Sequence, residues 1–339
     1  MKKYLLVLIT VLGFNCIYSQ VLYTENFDNH SVGNLGTDVT GKIPGQWGWY
    51  TVSNHTQSNS FFTIVNETGR GKVLEITTGL ITHEFLAAIK RIPYTTIANR
   101  FSGNDVFMLE IDYYTGSKQP SEGSGFSDLH ILSYLNNEYY LGYLMYELTF
   151  NKTKGTVFNN KLPFNTWLKI ILYIDYPNEK IYSYIPYLNY VHSRGMYYPP
   201  GITNLIEEYP IAEINLIESY SGLGINPISS YIRTRYDNIK LTAINAVPPE
   251  IVTLSNNEQL ATKFNMYPNP ATNVVNITNS ENMLVQQVVI YDVTGKQLSS
   301  QTFSNETQIQ LNVENLASGT YMLHLQTAQG TAVKKLIKK

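Results

Sequence analysis

Short runs rich in Val, Ile, Tyr, Phe and Thr, broken every few residues by Gly, Asn, Ser or Pro, occupy most of the chain. This punctuation leaves little room for long helices. β-Branched and aromatic side chains suit a pleated, half-buried surface, and Gly, Asn and Pro end each run. Residues 73–78 and 106–114 are two such runs. Residues 168–175 turn through Tyr176-Pro177-Asn178-Glu179 into residues 180–185. The Pro-Asn pair supplies the turn chemistry of a β-hairpin. Only residues 202–208 read as a short helix. Many closely spaced strands with almost no helix predict antiparallel sandwiches or barrels.

A chain of 339 residues suits two folded units and a leader. Residues 1–19 read as a secretory signal peptide: Lys2 and Lys3 precede an apolar stretch too short to span a bilayer. Ser19 is a small residue at the cleavage point, which leaves Gln20 as the mature N-terminus. The only cysteine, Cys16, falls inside this leader, and Asn15 before it lacks the small side chain a lipoprotein signal wants. The mature chain is therefore expected to hold no thiol, which excludes disulfides and thiolate metal sites. Lys and Arg number 24 against 26 Asp and Glu, so no net charge draws the chain to nucleic acid. No stretch beyond the leader is long and apolar enough to be a transmembrane segment. Residues 20–245 carry the β pattern of the larger unit. Ala246-Val247-Pro248-Pro249-Glu250 breaks it, and residues 246–263, polar and small, read as an interdomain linker.

Residues 264–339 return to short alternating strands, about seven in all, an immunoglobulin-like count. The marks along them are Tyr267-Pro268-Asn269-Pro270, Asn273, Ile290-Tyr291-Asp292, Gly295, Leu316, Gly319-Thr320-Tyr321 and a Lys-rich terminal strand. Together they resemble the type A C-terminal sorting domain of the type IX secretion system of Bacteroidetes. That resemblance implies export across the inner membrane by the signal peptide. The secretion machinery then recognises the folded tail at the outer membrane. It also implies removal of the tail, with the cargo released or anchored to surface lipopolysaccharide.

The larger unit resembles a concanavalin A-like, laminin-G-like jelly roll. The resemblance rests on Tyr23-Thr24-Glu25-Asn26-Phe27-Asp28 at its start, the run near Glu110, Pro163-Phe164-Asn165-Thr166-Trp167, and Tyr236-Asp237-Asn238-Ile239-Lys240-Leu241 at its end. Trp167 is read as an apolar anchor where a loop joins the sheet. Jelly-roll glucanases carry Glu, Asp and a second Glu on one strand face. Here Glu110 and Asp112 stand in place, but Tyr114 or Thr115 replaces the second Glu, so one of the two carboxyls of retaining hydrolysis is missing. A jelly-roll lyase would need a base, for which His130 is the candidate, yet the family's Arg-Glu-Arg strand is absent. Jelly rolls often tie first and last strands with calcium. Glu25, Asp28 and Asp237 would supply the hard oxygen ligands of such a structural ion.

Carbohydrate binding fits the composition better. Sugars stack on exposed aromatic faces while amides and carboxylates fix their hydroxyls. Gln46-Trp47-Gly48-Trp49-Tyr50 is a Gly-flanked aromatic cluster, and Tyr182, Tyr184, Tyr187, Tyr190, Tyr197 and Tyr198 form a second zone. Tyr182 and Tyr184 alternate onto one sheet face. The expectation is an all-β, secreted or cell-surface protein with a jelly roll that binds a glycan through Trp47, Trp49, Tyr182 and Tyr184. The sorting motif is Tyr267, Pro268, Asn269, Pro270, Asp292, Gly295, Gly319 and Tyr321. A polysaccharide-cleaving enzyme with a non-standard site, or a protein-binding adhesin, are the alternatives.

Overall fold

The structure of the chain, a computed structural model, describes residues 19–54, 58–78, 84–118, 123–134, 142–158, 160–222, 232–279 and 281–339. The leader, apart from Ser19, lies outside the described residues.

The larger unit runs β1 (Gln20–Glu25), β2 (Gly33–Asn34), β3 (Trp49–Ser53), β4 (Phe62–Glu67), β5 (Gly71–Thr78), β6 (Glu84–Arg91), α1 (Tyr94–Ala98) and β7 (Val106–Tyr114). It continues through β8 (Gly123–Tyr134), β9 (Gly142–Asn151), β10 (Thr156–Val157), β11 (Asn160–Lys161), β12 (Trp167–Asp175) and β13 (Lys180–Ile185). It ends with β14 (Tyr190–Gly195), α2 (Leu205–Glu208), β15 (Glu213–Gly222) and β16 (Ile232–Ile244). Among the described residues these strands form a nine-stranded sheet, ordered β14-β13-β12-β7-β16-β5-β4-β2 with β1 also on β16, and a seven-stranded sheet, β11-β10-β9-β8-β15-β6-β3. All named pairings are antiparallel, and the two sheets pack as a jelly-roll sandwich. The expected hairpin is present: Asp175 pairs with Lys180, and Asp175 Oδ1 accepts the Asn178 backbone N–H at 3.2 Å to hold the turn.

Strand alternation sets the faces. On β7, Phe107, Leu109, Ile111 and Tyr113 point into the core, while Met108, Glu110, Asp112 and Tyr114 point out. Phe27, Trp49, Phe62, Phe107, Tyr113 and Tyr146 fill much of the space between the sheets. One buried polar network crosses that core. Glu218 accepts hydrogen bonds from Ser127 (2.9 Å) and Tyr236 (2.8 Å), and its carboxylate lies 3.3 Å from the Lys152 ammonium. Glu218 belongs to one sheet and Tyr236 to the other, so the network ties the two layers.

The segment read as an interdomain linker, residues 246–263, is largely helical. Residues Pro249–Thr262 form a third helix, α3. Pro249 sits in its first turn, where a missing N–H loses no helical hydrogen bond. Ile251 buries against Tyr173, Tyr182 and Val191 of the nine-stranded sheet, together with Val247. Farther along, Leu260 and Ala261 join the core of the C-terminal unit. Gln259 donates to Ser193 Oγ (2.8 Å), and Lys334 donates to the Ala261 carbonyl (3.1 Å). The helix is thus a bracket with one face on each unit.

The C-terminal unit holds β17 (Phe264–Tyr267), β18 (Val274–Asn279), β19 (Val285–Asp292), β20 (Gln297–Glu306), β21 (Gln308–Asn312), β22 (Gly319–Thr327) and β23 (Gly330–Lys338). A three-stranded sheet, β17-β18-β21, faces a four-stranded one, β20-β19-β22-β23. Phe264, Val288, Ile290, Leu311, Leu323 and Leu336 pack between them as a small immunoglobulin-like sandwich.

Candidate functional site

Trp47 and Trp49, paired in the sequence reading, have opposite surroundings. Trp49 begins β3 and is fully buried; its ring centroid lies 5.6 Å from that of Phe27, and its indole N–H donates to Glu25 Oε2 at 3.2 Å. It is a core residue, and its face is not available to a ligand. Trp47 is 62% exposed. It has φ +51 and is followed by Gly48 at φ +76, a left-handed pair that turns the chain before β3. The loop is pinned around it. Gln46 Nε2 donates to the carbonyls of Ser31 (3.0 Å) and Asn34 (2.8 Å), while Lys90 Nζ donates to the Trp47 carbonyl at 2.6 Å. The Trp47 indole N–H donates to the Asn29 carbonyl at 3.3 Å. An exposed ring is thereby held in one orientation.

Asn29 also lines a cleft of about 480 Å³, with Glu25, Asn26, Glu110, Lys169, Asn238 and Lys240 among its walls. The cleft carries carboxamides and balanced charges. Glu110 lies 3.8 Å from Lys169 and 3.7 Å from Lys240. Asp112, behind it, is bound by Arg70, by Lys169 at 3.0 Å and by Asn238 at 2.9 Å. Burial pushes the Asp112 carboxyl up, but the Asn238 and Lys169 hydrogen bonds and the nearby cations win, leaving it below its usual range. Glu110 and Asp112 are thus members of an ion-pair lattice on the outer sheet face. Trp167 serves the same lattice: Arg70 lies 4.1 Å over its ring and Tyr114 packs at 5.5 Å.

The proposed calcium ligands do not converge. Glu25 accepts from the Trp49 indole and the Phe27 backbone N–H (2.9 Å). Asp28 Oδ1 accepts the Lys72 backbone N–H at 2.9 Å, and Asp237 pairs with Arg70 at 3.2 Å. A cation already sits at the first loop: Lys72 Nζ donates to the carbonyls of Asp28 (2.8 Å) and His30 (2.7 Å).

The tyrosine platform is also corrected. Tyr182 is buried and Tyr184 half-buried, and both pack in the cluster that α3 covers. The sequence read the α3 segment as linker, so it did not see that this face is occupied. Within the second aromatic zone Tyr187 and Tyr197 are exposed, at 61% and 68%, and Tyr198 donates to Glu179 at 2.6 Å. His130 lies on the outer face of the other sheet, with Nε2 3.9 Å from Glu147. Asp128 and Glu147, its neighbours there, were not singled out in the sequence; only the pairing of β8 with β9 brings them together.

In the C-terminal unit the motif residues hold the fold. Asn269 acts as a strand surrogate: its Nδ2 donates to the Lys335 carbonyl and its Oδ1 accepts the Ile337 N–H, both at 2.8 Å. Tyr267 is exposed, and the peptide bonds before Pro268 and Pro270 are cis. Ala271 continues the seam by donating to the Ile337 carbonyl at 2.8 Å. Asp292 Oδ1 accepts from Thr294 N–H (2.8 Å) and Lys296 N–H (3.0 Å), closing a turn in which Gly295 takes φ +84. Tyr321 donates to the Ala317 carbonyl at 2.7 Å, and Gly319 lies against its ring. This is the tyrosine-anchored turn of an immunoglobulin-like sandwich, built on a loop that clips the last strand.

Residues 265–339 match the family model described as a secretion system C-terminal sorting domain. The tail is such a domain, and it directs export by the type IX secretion system to the cell surface or the exterior. No helix among the described residues is long and apolar enough to cross a membrane. No curated protein matches the chain. Solved structures similar to it include a marine alginate lyase from Aplysia kurodai, at 9% identity over 65% of this chain and 98% of that one, TM-score 0.40. A sialidase is 10% identical over 66% of this chain, which spans 18% of that one, TM-score 0.39. Lectin II from Ulex europaeus is 9% identical over 66% of this chain and 99% of that one, TM-score 0.36. Nothing about ligand or activity follows from likenesses this distant.

Proposed function

We propose that the chain is a secreted cargo whose jelly roll, residues 20–245, binds carbohydrate outside a Bacteroidetes cell. The observation that carries this is Trp47: a 62% exposed indole, fixed by its own N–H and carbonyl, beside a cleft walled by Asn26, Asn29 and Asn238. A sugar ring lays its C–H face on such an indole, and carboxamides offer both donors and acceptors to its hydroxyls. Of the four aromatic residues expected to contact sugar, Trp47 is the one whose ring is largely exposed. Trp49 and Tyr182 are excluded by burial, and Tyr184 is half-covered beside α3. The cleft holds Glu25 and Glu110 against Lys169 and Lys240, a charge balance that suits a neutral glycan over a polyuronate. Glycan-array and polysaccharide pull-down experiments on residues 20–339 test the reading, with reducing-sugar and unsaturated-product assays on each hit. Retention on a neutral glycan, lost on Trp47→Ala, supports it. Product release would replace it with an enzyme, and retention unaffected by Trp47→Ala would move the site elsewhere.

A further inference from the structure

The outer face of the seven-stranded sheet carries a second polar centre, remote in sequence from the Trp47 loop. On β8, Leu129 and Ile131 enter the core, so Asp128 and His130 project from the opposite face. On β9, Leu148 and Tyr146 enter the core, so Glu147 projects outward, directly across from His130. On the other side of β8, Asn215 of β15 stands across from His130 on that same outer face. Asp128, His130 and Glu147 each offer one ligand atom, and these atoms all lie within 4.8 Å of one another.

Other outward carboxylates of the sandwich have a cationic partner: Asp112 and Asp237 have Arg70, Glu110 has Lys169, Glu75 has Arg235, and Glu213 has Arg91. Among the described residues no lysine or arginine pairs with Asp128 or Glu147. Their partners are uncharged or imidazole: His130 faces Glu147 at 3.9 Å, Thr149 donates to Glu147 Oε1 at 2.9 Å, and the Thr149 hydroxyl also hydrogen-bonds the Asp128 carboxyl. Three buried polar atoms of the cluster have no hydrogen-bond partner, namely Asp128 Oδ1, His130 Nε2 and Asn215 Oδ1. Asn215 is 6% exposed, so its orphaned carbonyl oxygen is deeply buried. An unpaired buried acceptor costs about 1–3 kcal/mol, and neighbouring acceptors on one face compound that cost. Two of them are oxygens, and the imidazole nitrogen is a third acceptor in its neutral tautomer.

We propose that Asp128, His130 and Glu147, with the Asn215 amide oxygen beside them, bind a divalent transition-metal ion. Two carboxylates, one imidazole and one amide oxygen make a mixed oxygen–nitrogen set that suits Zn²⁺ or Mn²⁺ over calcium, which takes oxygen alone. Bonds of about 2.0–2.2 Å put any two ligand atoms within roughly 4.4 Å. The His130–Glu147 separation of 3.9 Å already meets that limit. The three ligand atoms all lie within 4.8 Å, and Glu147, whose side chain is 44% exposed, is the least buried of them.

The test is calorimetric titration of metal-stripped residues 20–339 with ZnCl2 and with MnCl2, and CaCl2 as a control. One ion per chain is expected, with a raised thermal midpoint. The chain has 6 histidines, so variants must locate the ion. Glu147→Gln, at an exposed position that leaves the fold intact, and His130→Ala are each expected to weaken binding at least about tenfold, the scale lost even when a group that only orients a ligand is removed. His192→Ala is expected to change nothing. Mn²⁺ bound to wild type should show nitrogen coupling by electron paramagnetic resonance, lost in His130→Ala. No binding of either transition ion, or unchanged affinity in Glu147→Gln, overturns the proposal. It stands or falls separately from glycan binding, because Trp47→Ala is expected to leave the titration unchanged.

Discussion

Replacing Trp49 with alanine empties a core position filled beside Phe27 and strips Glu25 of an indole donor. The expected cost is about 3–5 kcal/mol, read as a lower thermal midpoint. Trp47→Ala, at an exposed position, is expected to leave that midpoint almost unchanged, within about 0.5 kcal/mol. The sequence showed an aromatic cluster without showing which ring faces water. That choice depends on the positive φ of Trp47 and on Gln46 tethering the loop to residues 31–34, contacts between segments that no local pattern encodes. Glu110 and Asp112 were legible as residues of one strand face, and the structure puts that face outward on β7. Asp112 gives a pH prediction. Its folded pKa lies below the unfolded value, so its contribution to stability is present above about pH 4 and is lost as pH falls through the folded pKa. Asp112→Asn should therefore flatten the acid limb of a stability–pH curve measured by urea unfolding. A steeper limb would contradict the assignment.

The elements show where local reading succeeds and where it stops. The 168–185 hairpin and the seven tail strands follow from period-two alternation and turn residues, both short-range signals, and of the helix expected over 202–208 the part Leu205–Glu208 forms. The third helix was missed because Pro248-Pro249 reads equally as a break or as a helix start. Its apolar contacts, Ile251 on one unit and Leu260 on the other, are too sparse for a continuous amphipathic stripe. Missing the helix also hid the cover over Tyr182. Ile251→Ala is expected to cost about 2–5 kcal/mol and to speed amide exchange in β13 and β14. Unchanged exchange there would mean that the helix does not protect this face. Inside the sandwich, Lys152→Met leaves Glu218 charged and buried without its cation. A loss of about 3–5 kcal/mol is expected by denaturant unfolding.

At the scale of the whole molecule, one unit carries the address and the other faces the outside world. The address was legible because its marks are turn and seam residues fixed by backbone geometry. Asn269 matters through its two hydrogen bonds to the terminal strand. Asn269→Ala is expected to weaken the tail by roughly 1–2 kcal/mol and to lower the exported fraction in cell fractionation. The ligand side was less legible, since one candidate centre depends on loop tethers and the other on strand pairing between segments distant in sequence. The most direct measurement is tryptophan fluorescence of residues 20–339 titrated with the glycan recovered from the array. The chain has 3 tryptophans, and of these Trp47 is the one with a largely exposed ring. A saturable emission change in the wild type, absent in Trp47→Phe, is the predicted result. The same change in Trp47→Phe would contradict the account.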